Sequence, residues 1–327
     1  MNYAIESFTG IRPTADLTVA NYIGAVRPVL DRESDGQSTS IFLAELHAIT
    51  TAPPADVIKN SRELGRTLIA SGLQGDIYSQ REVQDLVFEA EHYLLGLTSI
   101  SRLLRLPTLK EKVTQSDNTE NATVGLAMYP MLMASDIILA RPAQVPTGKD
   151  QKPHLEITNE LIRGFNRQHG ARLPEPRMLE VELPKIMSLD GSGRKMSKSI
   201  PKGAIFLDDT PLSGFKKVMK AVTASEPGPV MDSALDNMIT MVTGLGTESD
   251  IAGLKVTADQ IREGQPCIKD FKEQAGDAVR GFLTDMQERR ASVSDSEVSL
   301  RILEGSERFR PIGQATLNYM RDMYWSR

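Results

Sequence analysis

Four short stretches of the chain carry residue types that could grip a phosphorylated substrate or choose among small organic ones. In FTGIRPTADLTVANYIGAV, Thr18 and Asn21 stand three apart where a strand-like run gives way to a helical pattern. A hydroxyl and an amide at that spacing share one side of a helix's first turn, where free N–H groups favour a phosphate; Thr-x-x-Asn is equally an ordinary N-cap pattern. In GSGRKMSKSIPKG, Lys195 and Lys198 lie beside Ser197 and Ser199 on a glycine-flanked segment. By composition this is a solvated surface loop. A flexible cationic loop can also close over a polyphosphate and tighten as negative charge moves onto a leaving pyrophosphate.

The third stretch, MYPMLMASDIILA, sets an acid inside an apolar helix. Leu132, Met133, Leu139 and Ala140 lie three and four residues from Asp136, so the carboxylate shares a face with hydrocarbon. A buried carboxylate needs donors, whether backbone N–H groups or a ligand. The fourth, VPTGKDQKPHLEITNEL, is a strand end, a turn at Gly148 and a helix whose first turn tolerates Pro153, with Asp150 at an N-cap position.

Thr18-Val19-Ala20-Asn21 resembles the HIGH-type signature of class I aminoacyl-tRNA synthetases, and Lys195-Met196-Ser197-Lys198-Ser199 is identical to their KMSKS signature. The two occur in that family's order, one after the first strand and one after the last. The Asp136 stretch resembles the tryptophan-binding helix of tryptophanyl-tRNA synthetases, which implies that Asp136 accepts the indole N–H while Tyr129 and Met133 line the pocket. Tyrosyl enzymes usually carry glutamine at the place of Met133, because a phenol needs donor and acceptor partners whereas indole offers only a donor. The continuation KPHLEIT is also close to the tryptophanyl form.

From that resemblance follow roles for further residues. Gln151 faces the amino acid's ammonium and carboxylate end, Asp150 the ATP ribose and phosphates, and Phe8, Gly10 and His47 form the floor and strand end of the tryptophan pocket. Lys112, in LKEKV, reaches the triphosphate. The implied ATP set is Arg12, Thr18, Asn21, Gly148 and Asp150 with Lys195, Met196, Ser197, Lys198 and Ser199, of which Lys195, Lys198, Lys112, Thr18 and Asn21 act in catalysis. Departures from the family pattern fall on the nucleotide side: Ala20 replaces a glycine against which adenine packs, Ile200 and Lys149 stand where acids are common, and Arg12 replaces a frequent glutamine. The implied activity is tryptophan activation by ATP, with Mg2+ carried on the ATP and no protein-held metal, then transfer to tRNA(Trp) by a homodimer. A tyrosyl enzyme and a tryptophan-binding paralogue that charges no tRNA stay open as alternatives.

The elements that must position these residues follow from apolar spacing. Strands are expected at Tyr3–Phe8, Ser40–Ala44, Asp76–Ser79, Gln144–Thr147 and Lys185–Leu189, alternating with helices at Asn21–Leu30 (kinked by Pro28), Ala55–Ser71, Val83–Leu97, Met131–Ala140 and Pro153–Phe165. Alternating β and α implies an α/β fold with a parallel sheet, here a Rossmann-like catalytic domain over 1–206. Helical patterning at Gly214–Ala224, Ala234–Leu245, Ile268–Arg290 and Ser296–Tyr324 implies an α-helical domain over 207–327, which the resemblance assigns to anticodon recognition.

In 327 residues, 38 Lys and Arg face 43 Asp and Glu, a net charge of −5 that argues against coating nucleic acid by bulk charge. A tRNA would meet local patches, for which Lys216, Lys217, Lys220, Arg289 and Arg290 are candidates. The single cysteine, Cys267, excludes a disulfide framework and a four-cysteine zinc site, and suits a reducing compartment. MNYAIESFTG lacks the pattern of a secretory leader, and no apolar run approaches the roughly 18 residues of a membrane helix. A cytoplasmic protein is the expectation.

Overall fold

Short apolar runs between amphipathic helices can bury both faces of a sheet only by putting helices on each side, and the chain does so. The computed structural model describes residues 1–13, 17–106, 123–148, 152–180, 185–198, 200–224, 226 and 228–326. Strand β1 (Ile5–Ile11) leads to a helical turn α1 (Val19–Asn21), a widened π turn at Tyr22–Val26 and α2 (Arg27–Ser34). There follow β2 (Thr39–Leu43), α3 (Glu45–Ala48), α4 (Pro54–Ala70), β3 (Asp76–Ser79), α5 (Gln84–Leu94) and α6 (Ile100–Leu103). Next come α7 (Val124–Ala140), β4 (Pro142–Thr147), α8 (Lys152–His169) and β5 (Arg177–Glu180). Helices α9 (Pro211–Met219), α10 (Pro229–Leu245), α11 (Glu248–Arg262), α12 (Ile268–Ser292) and α13 (Asp295–Trp325) complete the described chain.

The five strands lie in the order β3-β2-β1-β4-β5, all parallel. Between β1 and β4 the order reverses, leaving a crevice at the carboxyl ends of those strands where ligands bind in such sheets. Side chains alternate across the sheet: Ile11, Ile41, Leu43 and Ile77 pack with α4 and the helices after Phe206, while Phe8, Phe42 and Tyr78 pack with α5, α7, α8 and α13. On the second face the rings form a ladder, Phe8 on Phe42 at 5.1 Å, Phe42 on Tyr78 at 5.8 Å and Tyr78 on Phe309 at 4.1 Å.

Several elements differ from the sequence expectation. Lys185–Leu189 is no strand of the sheet but one arm of a short hairpin, in which Met196 N bonds Ile186 O at 2.8 Å and Ser188 N bonds Arg194 O at 2.8 Å. Gly191 and Gly193 turn its tip at φ +74° and +68°. The fifth strand is Arg177–Glu180, which carries no β-branched residue and follows a proline-rich run, so pattern alone hides it. Pro28 does not merely kink a helix. Its ring cannot donate and crowds the carbonyl of Gly24, and the backbone answers with a π turn closed by Arg27 N–H on Tyr22 O. Helix α11 was not expected, although its capping box, Thr247 with Asp250, is readable in the sequence.

Helix α13 returns to the sheet and lies along the exposed edge of β3. Ser306 Oγ accepts from Ser79 N at 3.2 Å, so a side chain satisfies an edge-strand amide. Arg301 donates to the carbonyls of Leu73, Gln74 and Gly75, and Thr316 Oγ1 donates to Leu139 O at 2.9 Å. Gly305 allows this approach, because a methyl there would overlap the Ile77 carbonyl. Gly305→Ala should therefore destabilise the protein by about 1–3 kcal/mol in urea unfolding despite alanine's better helix propensity. A neutral or stabilising effect would mean the helix does not sit that close.

Candidate active site

A cleft of about 320 Å³ opens at the carboxyl ends of β1 and β4, at the reversal of strand order. That size lies within the roughly 300–1,000 Å³ of small-ligand sites. Phe8, Gly10 and Phe42 form its floor; Gly24 and Ala25 of the π turn, with Gly148 after β4, form one side; His47, Tyr129 and Met133 form the other. Gly10 is required because the Phe42 ring occupies the place of any Cβ there. Three elements distant in sequence thus bring together the expected pocket residues Phe8, Gly10, His47, Tyr129 and Met133.

Asp136 stands one layer behind this wall. It is 1% exposed, and Met133 and Ile137 of its own helix face the cleft in its place. Gln80 Nε2 donates to Asp136 Oδ1 at 2.9 Å and Oδ2 at 2.8 Å, and His47 Nε2 donates to Oδ2 at 3.1 Å. Burial pushes the Asp136 carboxyl above the ordinary carboxylate range, and the bonds from His47 and Gln80 pull it part of the way back. With Nε2–H committed to the acid, a neutral His47 imidazole keeps Nδ1 as an acceptor; that atom is buried without a hydrogen-bond partner among the described residues. The His47 ring meets Tyr129 edge-on at 4.7 Å. Burial raises the Tyr129 hydroxyl, with Arg12 working against the rise and Asp136 adding to it.

On the nucleotide side, Thr18 and Asn21 close a capping box. Asn21 N donates to Thr18 Oγ1 at 3.2 Å, and Thr18 N donates to Asn21 Oδ1 at 3.1 Å. Thr18 is wholly buried, so its hydroxyl serves the helix end; Asn21 is exposed. The same segment pairs antiparallel with the chain that follows the cationic loop, through Val19 N on Ile205 O at 2.9 Å and Leu207 N on Leu17 O at 2.8 Å. The chain six residues beyond the second signature stretch is therefore held against the first. Lys198 and Arg12 line a second cleft of about 730 Å³ that also contains Leu17 and Leu207, and Arg12 forms part of both clefts, donating to Thr51 Oγ1 at 2.7 Å. Lys195 is exposed and lines neither cleft, Ser197 is half-buried, and Met196 is packed in the core at 6% exposure. Ala20 is half-buried against that core. Lys112, Lys149, Asp150, Gln151 and Ser199 lie outside the described residues.

Among the cations considered for tRNA, Lys217 bonds Asp209 and Ala204 O, Arg289 bonds Asp285, and Arg290 bonds Asp208 and Glu63. Lys216 and Lys220 are exposed.

Two residues of the site were not anticipated. Gln80, 0% exposed, sits immediately after β3; the rule that ligands gather at strand carboxyl ends was the signal available for it. Glu91 on α5 is pushed up from 4.5 to about 7, first by burial and then by the charge of Asp136. An acid raised in the folded state keeps its proton after the unfolded chain has released it, so stability falls as pH rises from about 4.5 through about 7. Glu91→Gln should abolish that loss, with urea unfolding showing the variant's advantage at pH 8 shrinking to nothing near pH 4. Parallel pH profiles would refute the assignment.

Comparison with known proteins bears on the same residues. Residues 2–284 match the family of class I tRNA synthetases (W and Y). A tryptophan–tRNA ligase of Helicobacter pylori is 32% identical over 326 residues, spanning 97% of both chains. The crystal structure of tryptophanyl-tRNA synthetase from Mycoplasma pneumoniae superposes with a TM-score of 0.85 at 26% identity, covering 98% of this chain and 97% of that one. That of the Campylobacter jejuni tryptophanyl-tRNA synthetase complexed with ADP and tryptophan gives 0.77 at 26% identity, covering 96% and 98%. With a Rossmann-like sheet, a cleft at its switch point and this family match over most of its length, the chain belongs to the class I tRNA synthetases of the tryptophan and tyrosine group.

Proposed function

We propose that the protein is a tryptophan–tRNA ligase: it activates L-tryptophan with ATP and passes it to tRNA(Trp). The observation that carries the amino-acid choice is a buried carboxyl group, Asp136, joined to His47 behind a cleft lined mainly by apolar side chains. The pair offers an acceptor and no donor, which suits an indole N–H. The C. jejuni relative holds ADP and tryptophan, and the curated relative from H. pylori is a tryptophan–tRNA ligase over nearly the whole of this chain.

In the reaction the tryptophan carboxylate attacks the α-phosphorus of ATP, which enters with its Mg2+ as substrate. A new oxygen–phosphorus bond forms, the bond to the β-phosphate breaks, and pyrophosphate leaves. Catalysis is chiefly positioning and charge stabilisation. Arg12 and Lys198, which line one cleft, take the triphosphate, joined on loop closure by Lys195, which is exposed, while Lys112 serves the same phosphates. Asn21 and Gly148 contact the nucleotide, with Thr18 holding the helix end; Asp150 binds ribose and phosphate, and Gln151 the ammonium and carboxylate end. A hydroxyl of the tRNA's terminal ribose then takes the aminoacyl group and AMP leaves. The helical region 207–327 serves tRNA recognition, and the working unit is a homodimer in the cytoplasm.

ATP–pyrophosphate exchange tests this. Tryptophan should support exchange and phenylalanine should be rejected by about 10⁴ or more in kcat/KM, because it leaves the acceptor without a partner. Exchange driven by tyrosine in preference to tryptophan would overturn the amino-acid assignment. Lys198→Ala should lower kcat by about 10²–10³ while tryptophan binding persists in equilibrium dialysis. Asp136→Ala should lower kcat/KM for tryptophan about 10- to 100-fold with KM for ATP little changed.

A further inference from the structure

The polar cluster behind the cleft contains one amide whose side chain ties two other elements together. Gln80 is fully buried, and its side chain links three elements: Nε2 donates to both oxygens of Asp136 on α7, and Oε1 accepts from Leu46 N at 2.9 Å in α3, the residue before His47. Its backbone is held in turn. Ser79 N is bonded by Ser306 of α13, while Ser79 Oγ and Arg81 N both donate to Glu45 Oε2. We propose that Gln80 is a specificity-determining positioning residue, which keeps Asp136 an acceptor and thereby decides which polar group of an amino-acid side chain the cleft will take. This deepens the tryptophan assignment and rests on it.

The reasoning is a proton inventory. An amide whose carbonyl is pinned by Leu46 N–H can present only donors to Asp136, so the acid stays ionised and draws Nε2–H of His47 toward itself. In a neutral imidazole Nδ1 of His47, a residue of the cleft lining, is then the remaining acceptor. Without Gln80, burial favours the protonated acid. A protonated Asp136 can donate to His47 Nε2, and the imidazole's remaining proton then sits on Nδ1. The cleft would present a donor where it had an acceptor, and the indole N–H would lose its advantage. The titratable groups facing Asp136 are His47 on α3, Tyr78 on β3, Tyr129 on α7 and Glu91 on α5. Of these Glu91, at about 7, titrates in the working range and must be controlled.

The test uses exchange kinetics from pH 5.5 to 8.5 with tryptophan and with 3-benzothienylalanine, in which sulfur replaces the indole N–H. Gln80→Leu, in wild-type and Glu91→Gln backgrounds, should raise KM for tryptophan about 10- to 100-fold with kcat and KM for ATP little changed. The preference for tryptophan over the benzothienyl analogue should collapse, and the rise in KM on acidification should begin at higher pH than in the parent. Gln80→Asn keeps the amide but shortens its reach by one methylene and should change in the same direction, which covers the case in which the leucine variant fails to fold. If a folded variant keeps the parent's analogue preference and pH profile, Gln80 is only structural and the proposal is wrong. If the parent itself shows no tryptophan-dependent exchange, the assignment of function fails instead.

Discussion

A carboxyl group at 1% exposure sets the terms on which this site is built. Taking such a group out of water costs several kcal/mol unless donors meet it, and in Asp136 they come from residues 56 and 89 positions away. Neither donor can reach α7 unless β3 and β2 lie on the same side of β1, as the order β3-β2-β1-β4-β5 provides. Strand order, the α3 turn that carries His47 and the turn after β3 that carries Gln80 are therefore one requirement seen at three places.

A different constraint governs the nucleotide side. There the fixed helix end at Val19 and the chain after the cationic loop share backbone bonds, so the loop's exit is tied to the element it is meant to face. Its entrance is tied too, by the hairpin that holds Met196 on Ile186 and by Asn237, which bonds Met187 N at 2.7 Å and Met187 O at 3.2 Å. Lys195 and Lys198 straddle a buried methionine, so the chain between the two lysines is anchored in the core. Arg12, shared by both clefts, is where the apolar and cationic halves of the site touch.

Much of this was legible in the sequence because the signals are local. Short apolar β-prone runs mark β2 and β3 nearly residue for residue, and Asp136 stands out as a charge on an apolar helix. What escaped was what tertiary context decides. Arg177–Glu180 becomes a strand because β4 offers it an edge, and Lys185–Leu189 has strand character that it spends on a hairpin instead. The sequence allows Thr18 as cap and as substrate contact, and its complete burial favours the cap in this conformation. Gln80 had no periodicity or motif to mark it, since its importance lies in partners distant in sequence. The helical stretch after Phe206 was likewise readable as helices, but not that the last of them lies on the sheet.

That last arrangement bears on how the chain is made. Strand β3 and the Ser306 hydroxyl that satisfies its amide are 227 residues apart, so during synthesis the edge strand emerges long before its cover. Until α13 arrives, β3 presents unpaired backbone on a nascent protein, the kind of surface that recruits chaperones or neighbouring strands. The turn that supports the amino-acid site is anchored by that same late helix. Tryptophan recognition should therefore mature only after α13 has left the ribosome, however early the nucleotide-binding strands have formed.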